Sequence, residues 1–203
     1  MPAEIKYRDK IFWDVDTQVD FVLPEGKLYA PGAERLVPHL ERLTQYAQQR
    51  HILVVASTDA HLPQDQEFTQ WPPHCLAGTP GQRKIAQTQI SPQFVVPNRP
   101  VDLPAEIGAF AQIVIEKQAV DVFSNPNVDT LLLRLGRPEI TLYGLVTEVC
   151  VSCAAAGLLD RGYRLRIVAD AIHPFNEDQG RQTLSGLQNR GAQLVTVAQV
   201  LSA

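Results

Sequence analysis

The stretch ITLYGLVTEVCVSCAAAGLLDRGYRLRIVA, residues 140–169, decides how this chain folds. Residues 140–145 (ITLYGL) form a short apolar run of strand type. Residues 148–161 are rich in Ala and Leu, long enough for a helix, and stopped by Gly162. A second apolar run, residues 163–169, follows at once. Strand, helix and strand in direct succession make a βαβ unit, which requires the two strands to run parallel.

The same alternation extends outward in both directions. Upstream, residues 11–16 (IFWDVD) read as a strand. Pro31 and Gly32 then punctuate the start of a helical stripe over residues 34–49, carried by Leu36, Val37, Leu40, Leu43 and Ala47. Residues 51–57 (HILVVAS) and 112–116 (QIVIE) read as buried strands, and residues 129–135 as a short helix stopped by Gly136 and Pro138. Downstream, a helix over residues 177–190 is stopped by Gly191, and residues 193–197 form the last strand. The expectation is one α/β domain over residues 1–203, a doubly wound, six-stranded, mainly parallel sheet with helices on both faces. Residues 60–104, rich in Pro, Gln and Thr, interrupt the alternation and are too long for an ordinary connection.

Composition narrows the function classes. The 203 residues are 45% hydrophobic with a net charge of −4. No basic stripe suits nucleic acid, and no apolar run approaches the ~20 residues that span a bilayer. Residues 1–10 are polar and mixed in charge, without the apolar core of a signal peptide, so a cytoplasmic location is expected. Three cysteines, Cys75, Cys150 and Cys153, do not make a disulfide framework.

In open α/β sheets ligands bind beyond the carboxyl ends of the strands. Asp16 ends the first strand, Asp59 and His61 follow the second, Lys117 ends the third, and Val146 to Cys150 follow the fourth. Cys150 lies just inside the expected helix, with Thr147 as its N-cap. A helix N-terminus and a nearby lysine both lower a thiol pKa. The same N–H groups could stabilise an oxyanion, and Asp16 could move the thiol proton if partly desolvated. Asp59 and His61, followed by His74, suit a divalent metal, with Asp65 or Glu67 able to add an oxygen ligand. Cys150 and Cys153 also form a C-x-x-C, which leaves a redox reading open. Cys153 otherwise reads as core packing and Cys75 as structural.

These residues carry a resemblance. The segments DTQVDF (16–21), PG (31–32), TDAH (58–61), WPPHCLAGTPG (71–81), EK (116–117) and GLVTEVCV (144–151) resemble the nicotinamidase and isochorismatase-like cysteine hydrolases, and the WPPHC segment their metal-containing nicotinamidase branch. The resemblance implies Asp16, Lys117 and Cys150 as a catalytic triad. It implies Asp59, His61, His74 and Glu67 as ligands of one divalent ion, zinc first, with manganese or iron as alternatives. It implies Phe21 and Trp71, and more loosely Phe123, against the substrate ring. A cis peptide is expected at Val146–Thr147, aiming the Val146 and Cys150 N–H groups at the oxyanion. The expected reaction is hydrolysis of nicotinamide to nicotinate and ammonia. Another small amide, ureide or N-carbamoyl substrate is the alternative, and a non-enzymatic ligand-binding relative a further one. A homo-oligomer is expected, as is common among such proteins. Three positions depart from the usual pattern: Glu67 stands where many nicotinamidases carry histidine, residues 118–127 (QAVDVFSNPN) are shorter and lack tyrosines, and TEVC replaces TDxC.

Overall fold

The computed structural model describes residues 9–202. The polar N-terminal stretch read above lies outside them up to Arg8. Seven parallel strands form one sheet: β1 (Lys10–Val15), β2 (Val54–Asp59), β3 (Gln93–Val96), β4 (Gln112–Lys117), β5 (Glu139–Leu145), β6 (Leu165–His173) and β7 (Gln193–Val195). Their order is β3-β4-β2-β1-β5-β6-β7. The expectation of six strands is corrected by β3, which lies inside the interrupted stretch. It is a four-residue edge strand bounded by Pro92 and Pro97, whose three apolar residues, Phe94 to Val96, make too short a run to stand out.

The helices are α1 (Val19–Val22), α2 (Val37–Gln49), α3 (Val128–Leu135), α4 (Ser152–Asp160), α5 (Glu177–Asn189) and α6 (Val197–Leu201). One face of the sheet, with Trp13, Val55, Ile115 and Leu142, packs against Leu131 and Leu135 of α3, Ala155 and Leu158 of α4, and Leu187 of α5. The other face, with Phe12, Val54, Tyr143 and Val168, packs against Leu40, Leu43 and Ala47 of α2 and Val197 and Val200 of α6. Burial on both faces explains why β2 and β5 read as continuous apolar runs rather than alternating ones. Each fully buried leucine stabilises this packing by roughly 1.5–3 kcal/mol relative to exposure.

The order places β1 at the centre. From it the chain builds β2, β4 and β3 to one side, then β5, β6 and β7 to the other. The crevice between β1 and β5, beyond their carboxyl ends, is the topological switch point. Gly144 lets the two strands approach there. Its φ is +121°, and a Cβ on it would lie 2.0 Å from the Val15 carbonyl oxygen. Among the described residues no helix is long and apolar enough to cross a membrane.

Candidate active site

Four strand ends deliver the reactive groups to that crevice. Asp16 follows β1 in a left-handed conformation, φ 49°, which turns its fully buried side chain out of the strand alternation. Its Oδ1 accepts from Ser57 Oγ at 2.6 Å. Lys117 ends β4, beside its register partner Asp59 at the end of β2. Lys117 is 1% exposed, and its Nζ lies 3.0 Å from Asp16 Oδ2 and 3.6 Å from Cys150 Sγ while also donating to Asp59 Oδ1. Lys117 thus touches both Asp16 and Cys150, a convergence that the spacing of the strand ends alone does not fix.

The approach to Cys150 differs from expectation in three ways. The non-proline cis peptide is Leu145–Val146, one bond earlier than Val146–Thr147. The helix does not begin as a regular α-helix: residues Thr147–Val151 form a π-helical turn that runs into α4. Its N-cap is Val146, and the buried Thr147 hydroxyl caps nothing. The Val146 carbonyl accepts from the Val149 and Val151 amides and skips that of Cys150 between them. The wide turn thus keeps the Cys150 N–H off that carbonyl.

Electrostatics tie the groups together. Burial raises the Asp16 carboxyl above the usual carboxylate range; Lys117 opposes this and Asp59 reinforces it. Burial disfavours a charged Lys117, but Asp16, Asp59 and Cys150 outweigh it and hold the ammonium protonated. Burial also pushes the Cys150 thiol well up, against the pull of Lys117. A thiol lowered at a helix N-terminus was expected; desolvation and the Asp16 and Asp59 carboxylates win instead.

Beside this group stand Asp59, His61, Glu67 and His74, with one ligand atom from each lying within 4.8 Å of all the others. Asp59 Oδ2 and His61 Nε2 are buried and have no hydrogen-bond partner. His61 Nδ1 contacts Asp65 Oδ2 at 3.0 Å and His74 Nδ1 contacts the Pro72 carbonyl at 2.8 Å, so both Nδ1 atoms must donate. Each Nε2 is then left with a lone pair facing the shared centre, the usual arrangement behind a metal-bound histidine. Nε2-to-carboxylate distances run from 3.6 to 3.8 Å. Tetrahedral bonds of about 2.0–2.2 Å would give roughly 3.3–3.6 Å, so the cluster fits an ion after a small contraction. Asp65, one of two candidate oxygen donors, is instead turned onto His61 and the Leu62 amide. Glu67 faces the centre.

Two residues missed in the sequence hold this cluster. Gln18, fully buried, accepts from the Asp59 N–H at 2.7 Å and donates to the carbonyls of Asp59 and Gln82 at 2.8 and 2.6 Å. Asp20 accepts from the Cys75 amide at 2.6 Å, beside His74. Both stand in the quoted DTQVDF segment, which was their only signal.

A small cavity joins the two groups and is walled by Phe21, Trp71, Val149 and Phe175. Phe175, which follows β6, was not singled out by sequence. Phe123 is not brought to the cavity: its ring packs under the Arg161 guanidinium and against Gly157. A larger cavity of about 450 Å³ opens at the other end of the strands, near Ile11 and Leu53, and holds none of these groups. Cys75, Cys150 and Cys153 are all free thiols.

Comparison with known proteins places the chain in a family. Residues 14–199 match the isochorismatase domain. The chain is 26% identical over 189 residues to the nicotinamidase/pyrazinamidase of Mycobacterium tuberculosis, covering 89% of this chain and 95% of that protein. It shares its fold with the pyrazinamidase of Pyrococcus horikoshii in complex with zinc (TM-score 0.76, 24% identity, 93% of this chain and 99% of that one). It also shares its fold with the N-carbamoylsarcosine amidase from Thermoplasma acidophilum (TM-score 0.75, 24% identity, 93% and 96%).

Proposed function

This chain belongs to the isochorismatase domain family, and on that premise we propose that it is a cysteine-nucleophile amidohydrolase converting nicotinamide to nicotinate and ammonia. The observation that carries the reading is the contact of one buried ammonium, Lys117, with both Asp16 and Cys150. Asp16 takes the thiol proton, and Lys117 offsets the negative charge left on sulfur. The thiolate adds to the carboxamide carbon. The Val146 and Cys150 N–H groups hold the oxyanion. Asp16 returns its proton to the departing nitrogen, the C–N bond breaks and ammonia leaves a thioester on Cys150. Asp16 then removes a proton from water, whose oxygen attacks the thioester. The carboxylate product departs as the sulfur recovers a proton. A carboxyl raised by burial suits this role, because it holds a proton more readily than an exposed one.

Asp59, His61, Glu67 and His74 would hold one divalent ion, for which their nitrogen and oxygen donors favour zinc, with manganese or iron next. When bound, it supplies a Lewis-acidic anchor for a ring nitrogen of the substrate. Phe21 and Trp71 supply apolar walls for the ring.

A second reading keeps the chemistry and changes the substrate to a ureide or N-carbamoyl compound. Residues 118–127 favour it, since they bring no tyrosine, and Phe123 packs away from the cavity. Ammonia release from nicotinamide, pyrazinamide and a set of ureides separates the two. Turnover confined to the ureides would overturn the nicotinamide assignment and leave the class intact.

A further inference from the structure

The rings of Trp71 and Phe175 stack, with centroids 5.7 Å apart and planes inclined by 28°. Both line the cavity that holds Cys150. Its free volume is about 20 Å³, room for about one water molecule and not for a ring. A ring-bearing substrate therefore reaches Cys150 only when one of these walls yields.

The two walls are mounted differently. Phe175 sits between Pro174 and Asn176. Pro174 packs tightly on α5, where a Cβ on Gly180 would come within 2.8 Å of it. The Asn176 side chain caps α5 by accepting from the Asp178 and Gln179 amides, each at 3.0 Å. The Asn176 N–H donates to Glu148 Oε1 at 2.8 Å. Glu148 belongs to the turn that carries Cys150, so Phe175 is tied to the same turn as the sulfur. The glutamate of TEVC, one methylene longer than the usual aspartate, makes this bond. Trp71, by contrast, lies in the loop between Glu67 and His74, with Pro72 and Pro73 exposed.

We infer that Phe175 is a specificity-determining residue: it is the fixed wall that limits the substrate to a carboxamide on one small planar ring, and Trp71 is the wall that yields. The inference rests on the proposed role of Cys150, so its test needs a readout independent of turnover. Alkylation of Cys150 by iodoacetamide and by a bulky N-naphthyl iodoacetamide, scored by peptide mapping, supplies one. Phe175→Ala raises the bulky-to-small rate ratio by about tenfold or more. Glu148→Ala moves it in the same direction, and Phe175→Leu, close in volume, leaves it near wild type. Where F175A fails to fold, Phe175→Val takes its place. Kinetics on nicotinamide and a ring-substituted nicotinamide follow the same ratio, with the gain in KM for the larger amide. A bulky-to-small ratio in folded Phe175→Ala within about twofold of wild type overturns the inference. In that event ammonia release from wild type still stands or falls separately. A protein that releases no ammonia from any amide, yet shows the shifted alkylation ratio, loses the proposed function and keeps Phe175 as the limiting wall.

Discussion

Asp59 and Lys117 are register partners at the ends of neighbouring strands, and the Lys117 ammonium donates to Asp59 Oδ1. The other carboxylate oxygen faces His74 Nε2, 3.6 Å away. One side chain thus belongs to both halves of the site, and burial alone would raise its carboxyl. The Lys117 ammonium beside it opposes burial, and the carboxyl is held far below the usual range. Asp59 is consequently ionised whenever the site is assembled.

Lys117→Met leaves Asp16 and Asp59 buried without their cation. Removing one partner of a buried charged group costs about 3–5 kcal/mol. Urea unfolding of the variant shows a loss of that size. A loss under about 1 kcal/mol, the range of an exposed pair, means the carboxylates find another partner.

Asp65→Ala removes the acceptor behind His61 Nδ1 without touching the four atoms that face the ion. Zinc affinity, measured by chelator competition, falls by about 10–100-fold. Iodoacetamide labelling of metal-free Cys150 stays at the wild-type rate. An unchanged affinity contradicts the orienting role.

Gly81→Ala places a Cβ 2.2 Å from Asp20 Oδ2, the oxygen that holds the Cys75 amide. Overpacking of this kind destabilises by about 1–3 kcal/mol. Because His74 adjoins Cys75, zinc affinity falls as well. Gly186→Ala is the matched control: it lies within α5 and its Cβ meets nothing within 4 Å. It raises stability by about 0.4–1 kcal/mol. Equal effects of the two substitutions on stability would contradict the packing account.

The division between what was legible and what was not follows the range of the forces involved. Asp16, Asp59, Lys117 and Cys150 were legible because strand periodicity and the carboxyl-end rule fix where a strand end points. Edge strand β3 was not, because only Phe94 and Val96 face the core, and two inward positions between prolines are too few to show a period. The start of the nucleophile turn was misread by one peptide bond. A π-turn and an α-turn share the same residues, and only the skipped Cys150 amide distinguishes them. Asp65 and Glu67 were equivalent as oxygen donors by spacing, and only the resemblance pointed to Glu67. In the structure the loop turns Asp65 onto His61 and Glu67 toward the centre. Phe175 follows β6 by two residues and carried no motif, so its place opposite Trp71 depends wholly on tertiary packing.

The central claim is that Cys150 forms the bond to the substrate carbon. The direct measurement is ammonia release from nicotinamide by the zinc-loaded Cys150→Ala protein beside wild type, with circular dichroism confirming that both are folded. Loss of the nucleophile lowers kcat by about a thousandfold or more while zinc binding is retained. Ammonia release by Cys150→Ala at close to the wild-type rate would contradict the account.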